Sequence, residues 1–483
     1  MDCCTTGKND GAGGGPRDAE TYDFVVIGGG SAGFAAALRA RESDWKVALV
    51  NRGTIGGTCV NIGCVPSKAL IRAAEAIHAA GSHSFDGISA SARLVDFRAV
   101  MAQKDALVGG LREAKYADLV AGDPGIVRID GDARFVSPSE VDVNGRRIHA
   151  SHFLVATGAR PSLPDIPGLA DSGYLTSTSA LELKALPSSM IVLGGGYVGL
   201  ELAQMFARFG TSVTILQRSG HLLSDEDADL GEALQGFLAD EGAEVHTAVD
   251  VRSVERSADG VTVATVVGGR ERQFTAEALL CATGRRANTE GLNLEAAGAA
   301  VDARGLLMVD DSLCAAPGIH GAGDVIGNPA FVYTAAYEGQ LAASNAINGV
   351  ATTRDYSALP WVVFTDPQIA GVGLGERQAA AAGIEVDVAR LDLTNVPRAL
   401  AARDTRGYVK LLRRAGTDEL VGARIVAPEG GEQIAVAALA IRHGIGVRAI
   451  ARGFTAYLTQ AEALKLAAQA FDKDVSKLSC CAA

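Results

Sequence analysis

Two stretches of the chain repeat one order of apolar and polar positions. Asp23–Ile27 is a short apolar run that predicts a strand; it leads into Gly28-Gly29-Gly30-Ser31-Ala32-Gly33, an Ala-rich helical segment to about Glu42 and a second strand over Lys46–Val50. Near the middle, Met190–Leu193, Gly194-Gly195-Gly196-Tyr197-Val198-Gly199, a helix to about Phe209 and a strand over Ser212–Leu216 repeat it. Each is the start of a βαβ unit, so the pattern predicts two Rossmann-like folds in one chain.

Between them, Ile126–Val155 alternates short β-rich segments with turn residues and closes on Leu154-Val155-Ala156-Thr157-Gly158. Leu280-Cys281-Ala282-Thr283-Gly284 closes the second unit in the same way, and from about Tyr356 the pattern changes to strands followed by Ala-rich helices. The expected class is α/β: two dinucleotide-binding domains and an α+β C-terminal domain. Expected boundaries are a disordered, cysteine-containing tail at 1–21, a first dinucleotide domain at 22–165 and again 291–355, a second at 166–290, a C-terminal domain at 356–471 and a mobile tail at 472–483.

Of the 483 residues 58 are glycine, roughly 12% where about 7% is usual, which points to many tight turns or close backbone approaches to ligands. A net charge of -12 argues against nucleic acid or an anionic membrane as partner. No apolar run approaches the roughly 18 residues of a membrane span, and the first residues do not read as a leader. A cytoplasmic protein acting on small ligands is the expectation.

In each glycine loop the first glycine of the motif (Gly28, Gly194) permits the turn and the second (Gly30, Gly196) lets backbone N–H groups approach a pyrophosphate. The last (Gly33, Gly199) lets helix pack on strand. An acidic residue at the end of the following strand usually holds a ribose 2'-hydroxyl, and a basic one suits a 2'-phosphate. Gln217-Arg218 therefore favours NADPH over NADH on the second loop, while Asn51 stands in the first where a carboxylate is expected; its amide can still bond a ribose.

The eight cysteines form three close pairs, Cys3-Cys4, Cys59/Cys64 and Cys480-Cys481, with Cys281 and Cys314 alone. This is no disulfide framework; close pairs in a reducing compartment mean redox or metal chemistry, and the lone cysteines read as packing. Residues five apart on a regular helix point about 140° from each other, so bridging Cys59 and Cys64 needs a distorted turn, which Gly63 and Pro66 can supply. A helix start and nearby Lys68 favour thiolate.

The segment GGTCVNIGCVPSK, Gly56–Lys68, resembles the redox-active segment of the FAD-dependent pyridine nucleotide-disulfide oxidoreductases, and the resemblance extends over about residues 22–475. It implies FAD on the first loop, NADPH on the second, and electron flow through flavin to the thiol pair. Cys64 would contact the flavin and Cys59 face the substrate; Lys68 and Glu201 match the pair beside flavin and nicotinamide. Asp324 in Gly321-Ala322-Gly323-Asp324 would bind the ribityl chain. Further contacts are implied at Gly53, Gly57, Thr58, Ala32, Ala133, Thr157, Gly158 and Val332 for FAD, and at Tyr197, Val198, Gly199 and Gly284 for the nicotinamide nucleotide. Such enzymes are homodimers through the C-terminal domain, with the tail of one subunit serving the other's active site.

Disulfide-reducing members carry His-x-Thr-x-x-Glu near the C-terminus, where imidazole handles protons near neutral pH. Here the segment reads Tyr457-Leu458-Thr459-Gln460-Ala461-Glu462, and a phenol with a reference pKa near 10 cannot easily do that work. A substrate that needs electrons and soft ligands but no protonated leaving thiol tolerates the change. With Cys480-Cys481 as a mobile thiol pair, the resemblance is to the branch of the family that reduces Hg(II), taken up as a thiol complex. Cys59, Cys64, Cys480 and Cys481 are then the metal-binding thiols, and Tyr197 and Tyr457 help to hold the ion. Two alternatives stay open: a terminal Cys-Cys relay to a protein disulfide, and sequestration of metal without turnover. Cys3-Cys4 bind metal or do little.

Overall fold

The structure, a computed structural model, describes residues 20–327 and 329–477. By compactness the chain divides into two units. The first runs to Ala69 and adds Met101–Ser162 and Gly284–Arg354; the second comprises Leu70–Val100, Leu163–Thr283 and the chain from Asp355.

The first unit is built on the predicted βαβ start: strand Glu20–Ile27, helix Ser31–Arg41 and strand Val47–Asn51. The second half of the first strand, Phe24–Ile27, and the whole of the second are buried inside a parallel sheet covered on both faces, which is why they read as apolar runs. The sheet runs Cys314–Ala316, Ile319–Gly321, Arg146–Val155, Glu20–Ile27, Val47–Asn51, Ile126–Asp130, with Ala133–Ser137 and Glu140–Val143 added as a meander on the strand Arg146–Val155. Its register is fixed by fully buried pairs such as Val26 with Leu49 and with Leu154. One face packs on helices Ser31–Arg41 and Val332–Asn348, which touch so closely that a Cβ on Gly339 would lie 2.1 Å from the Ala32 carbonyl oxygen.

The second unit repeats the device. A parallel sheet of Glu244–His246, Ser212–Leu216, Ser189–Leu193, Ala278–Cys281 and Leu175–Thr176 carries helix Tyr197–Phe209, and an antiparallel meander spans Val249–Ala276. The same compact unit contains the C-terminal antiparallel sheet, in the order Trp361–Val363, Gln368–Gly373, Leu420–Ala427, Tyr408–Arg414, Val386–Asp392, backed by helices Gly430–Arg442 and Glu462–Gln469 around a Leu, Ile, Val and Ala core. Among the described residues no helix is long and apolar enough to cross a membrane.

Candidate functional site

The two glycine loops are built alike. Gly28 lies at φ +120°, and a Cβ there would sit 2.2 Å from the Ala156 carbonyl oxygen; Gly194 lies at φ +108° with 2.5 Å to the Ala282 oxygen. Gly33 and Gly199 admit no Cβ either, at 1.9 Å from the Gly28 oxygen and 2.2 Å from the Gly194 oxygen. The third glycines, Gly30 and Gly196, are the N-caps of helices of 11 and 13 residues, and neither end is capped by a side chain. Space is open beside Gly196, and at Gly30 only the Gly57 Cα approaches. Bare helix N-termini edged by backbone with room in front form an anion cradle, so the residues present fit a dinucleotide pyrophosphate at each loop.

Asn51 and Gln217 occupy equivalent places and do the same local work. The Asn51 side-chain oxygen accepts from the Gly29 N–H at 3.0 Å, and that of Gln217 from the Gly195 N–H at 2.9 Å. The Asn51 amide also donates to the Gly53 oxygen at 2.8 Å. Both side chains are buried braces of their loops, while Arg218 is exposed.

The thiols lie on two helices separated by one residue. Cys59 is on Gly57–Ile62, Gly63 breaks the helix at φ -131° and ψ -113°, and Cys64 opens the 19-residue helix Cys64–Ser82. A Cβ on Gly63 would lie 2.9 Å from the Thr58 oxygen, so the break is packed as well as permitted. Pro66 falls in the first turn of the second helix, where its missing N–H costs nothing. Cys64 therefore sits at a helix N-terminus, which favours thiolate. Cys59 is held above the ordinary thiol range, first by its hydrogen bond to Cys64, then by burial and by the charge of Cys64; Lys68 opposes the shift. The two thiols form one coupled pair, in which the hydrogen bond to Cys64 holds the Cys59 thiol in its protonated form.

Around these groups the first unit gathers Gly57, whose Cβ would lie 2.6 Å from the Gly30 Cα, Thr58 on the Cys59 helix, and Lys68 one turn along from Cys64. Asp324 follows Gly323, whose Cβ would meet Ala32 at 3.4 Å, and Asp324 pairs with Arg285 at 3.4 Å. Thr157 and Gly158 are tied to Asn288 by three hydrogen bonds. Gly284 falls in this unit too, its carbonyl accepting from Ser162 N–H. Gly53 is exposed at φ +85°, Val332 opens its helix, and Ala133 is buried in the sheet core rather than at the loop.

In the second unit Tyr197, Val198 and Gly199 form the first turn of their helix, and Glu201 one turn on is buried, with its carboxylate accepting from the Phe364 N–H at 3.0 Å. Tyr457 is half exposed, followed by Leu458 at φ +61°. Beside it the half-buried Gln460 and the buried Glu462 each present an inaccessible side-chain oxygen with no hydrogen-bond partner among the described residues. Cys281 is buried, and burial pushes its thiol up to about 12, in keeping with a packing role. Cys3, Cys4, Cys480 and Cys481 lie outside the described residues. No cluster of three or more His, Cys, Asp or Glu side chains forms a metal cage among the described residues.

Sequence reasoning missed two tyrosines beside the thiols. Tyr116 is hydrogen-bonded to Ser31 of the first loop, and its phenol is raised by burial and by the charges of Cys59 and Cys64. It sits in the π-helical turn Glu113–Ala117, an irregularity that often marks functional sites and leaves no periodic signal. Tyr333, stacked on Phe331 at 5.3 Å, is raised by burial and by Cys64. Arg285 was findable, as a cation directly after the Thr283-Gly284 turn.

The chain belongs to the pyridine nucleotide-disulphide oxidoreductases. The family pattern of that description matches residues 22–339, and the pattern of the family's dimerisation domain matches residues 359–468. Among characterised relatives, the mercuric reductase of Streptomyces lividans is 48% identical over 469 residues, covering 95% of this chain and 98% of that protein. The mercuric reductase of Bacillus cereus is 46% identical, covering 95% and 73% respectively. Among solved structures, the Cu(II) complex of the HOCl-induced flavoprotein disulfide reductase RclA from Escherichia coli superposes with a TM-score of 0.84 at 31% identity, over 94% of this chain and all of that one.

Proposed function

We propose that this protein is an FAD- and NADPH-dependent mercury(II) reductase, converting Hg(II) held by thiols to elemental mercury. NADPH supplies two electrons and Hg(II) accepts two; NADP⁺, one proton and the two thiolates that held the ion are released. The observation that carries the reading is a dithiol with one member at a helix N-terminus, placed directly after a dinucleotide cradle, in a chain nearly half identical to mercuric reductases over almost its full length.

FAD, bound at the first loop, supplies two-electron transfer between the nicotinamide and the thiol pair. The chain's own groups bind and poise. Gly28, Gly30 and Gly33, with Asn51 bracing Gly29, keep the first cradle bare for pyrophosphate; Gly194, Gly196 and Gly199, braced by Gln217, keep the second. Arg218 at the exposed strand end suits a 2'-phosphate, and Arg285 orients Asp324. Lys68 favours the thiolate form of Cys59, which holds its proton through the bond to Cys64 until a soft cation displaces it. Two thiolates are the preferred ligands of such a cation and need no third protein ligand.

The match to the family's dimerisation domain supports a homodimer. In this reading the C-terminal tail of one subunit brings Cys480 and Cys481 to the partner's thiols, and Tyr457 stands where a disulfide reductase would keep an acid-base group. The partnerless oxygens of Gln460 and Glu462 next to it suit a face completed by a second copy. Use of NADPH and reduced thiols places the enzyme in the cytoplasm.

Following NADPH oxidation by purified protein in excess thiol, with Hg(II), oxidised glutathione, lipoamide and thioredoxin added in turn, tests the assignment. Turnover with Hg(II) alone is expected. Turnover only with a disulfide would make the protein a disulfide reductase, and stoichiometric binding without turnover would make it a metal trap.

A further inference from the structure

We propose that Trp361 is a positioning residue for Tyr197, and that through this ring contact the C-terminal sheet sets how tightly the second glycine loop takes its nucleotide. The inference rests on reading that loop as the NADPH site. It concerns a residue that neither the loop motif nor the thiol motif contains.

Helix Tyr197–Phe209 presents Tyr197, Glu201, Gln204 and Arg208 at spacings of four, three and four, a single stripe down one face. All four meet one short segment, Trp361–Asp366. The Tyr197 ring packs on Trp361 with centroids 5.6 Å apart and planes inclined at 35°. Glu201 accepts from the Phe364 N–H at 3.0 Å. Gln204 accepts from the Asp366 N–H at 2.8 Å and donates to the Asp366 oxygen at 2.9 Å. Arg208 reaches the Asp366 carboxylate at 2.9 Å. Three of these four side chains are held by hydrogen bonds that fix the helix. The fourth contact, at the nucleotide end, is a ring pair that bears on a side chain next to the open space at Gly196.

The shelf is rigid. Trp361 stands opposite Gly371 on the neighbouring strand, which stands opposite Arg424 on the next. A Cβ on Gly371 would fall 2.4 Å from the indole, so glycine there makes the indole's seat. The Arg424 guanidinium, fully buried and bonded to Glu226 at 2.8 Å, lies 5.4 Å from the indole centroid. Trp361 is 8% exposed. A side chain clamped by its sheet can hold a half-buried tyrosine at a helix start; without it, the ring loses one wall of its seat at the point where the nicotinamide half of the nucleotide must fit.

The test uses the holoenzyme. Trp45 and Trp361 are the chain's two tryptophans, so a Trp45→Phe background leaves Trp361 as the sole indole reporter. Titration with NADP⁺, which does not absorb in the emission band, is expected to shift or quench that emission, and the response should vanish when Tyr197→Ala is added. In parallel, Trp361→Leu, which keeps bulk and removes the ring, is expected to raise KM for NADPH about 3- to 10-fold, the worth of an aromatic pair, with kcat within about twofold. Trp361→Phe should restore KM. A purely structural role would lower the melting temperature in both variants without separating their KM values. Emission indifferent to saturating NADP⁺, a response that survives Tyr197→Ala, or equal KM in the Leu and Phe variants would overturn the proposal. The acceptor assay is independent: an enzyme that proves to reduce disulfides loses the mercury assignment while the Trp361 result stands, and one that binds no NADP⁺ loses both.

Discussion

The third and last glycines of the nucleotide loop make opposite predictions from the same small change. At Gly199 an added Cβ would sit 2.2 Å from the Gly194 oxygen and 3.2 Å from the Ala282 Cβ. Relieving it moves the helix start from the loop by on the order of 1 Å, and a displacement of that size costs about 100-fold in a positioned reaction. At Gly196 the backbone is extended, with φ -91° and ψ 179°, and nothing lies within 4 Å of the added carbon. Alanine fits there without strain, and by restricting the unfolded chain it adds about 0.4–1 kcal/mol of stability. Gly199→Ala should therefore lower both the melting temperature and the affinity for NADPH. Gly196→Ala should melt at or slightly above the wild-type temperature yet lose NADPH affinity by at least roughly tenfold, because the methyl occupies the place of a phosphate oxygen. Differential scanning fluorimetry and equilibrium binding of NADP⁺ separate the two effects. Wild-type affinity in a folded Gly196→Ala variant would mean that the pyrophosphate does not lie against this loop, and the assignment of the second cradle would fail.

Replacing Cys59 or Cys64 with serine should abolish Hg(II)-dependent NADPH oxidation while leaving reduction of the bound flavin by NADPH intact, as followed in stopped-flow absorbance. Truncation before Cys480 should slow turnover when competing thiols hold mercury tightly, and an unchanged rate under those conditions would reject a delivery role for the tail. His320 is almost wholly buried, and burial, helped by His152, lowers its pKa to about 4. The unfolded chain takes up that proton below about pH 6.5 and the folded one only near pH 4, so stability should fall as pH drops through this window, by about 3 kcal/mol relative to a His320→Leu variant in urea melts. Arg424→Leu strands the buried Glu226 carboxylate and should cost about 3–5 kcal/mol, partly recovered when Glu226→Leu is added.

Local chemistry made much of the fold legible. Glycine spacing after an apolar strand announced both βαβ starts, because each glycine answers to a contact within its own unit, and the structure returns helices at Ser31–Arg41 and Tyr197–Phe209 where they were expected. The distorted turn between the cysteines was legible from Gly63 for the same reason. Groups brought in from distant sequence were not. Tyr116 reaches Ser31 across more than eighty residues through a π-helical turn, and Trp361 reaches Tyr197 from a different sheet. The brace from Asn51 to the Gly29 N–H was not legible either, because the contact joins residues twenty-two apart that no local pattern pairs.

The same brace at Gln217 shows why two nearly identical cradles can serve different ends. In both, an amide oxygen at the end of the second strand pins the second glycine, so the loop keeps its shape without help from a ligand. What differs is the chain that follows. After Asn51 it turns at once into Gly57–Ile62, bringing Gly57 against Gly30 and leaving the thiols on the next few residues. After Gln217 it runs instead to Glu226 and Asp227, which anchor on Arg424 and Lys410 of the C-terminal sheet, while Leu223 N–H bonds the Gly195 oxygen on the way. The first cradle is thereby coupled to a redox pair and the second to a rigid sheet. A loop that must bind and release nucleotide in every cycle gains from a rigid support, and one that keeps its cofactor gains from having the thiols close by. Shortening the Gln217–Asp227 connection should accordingly weaken NADP⁺ binding while leaving flavin content at one per chain, and loss of flavin in such a variant would show that the two cradles are not independently supported.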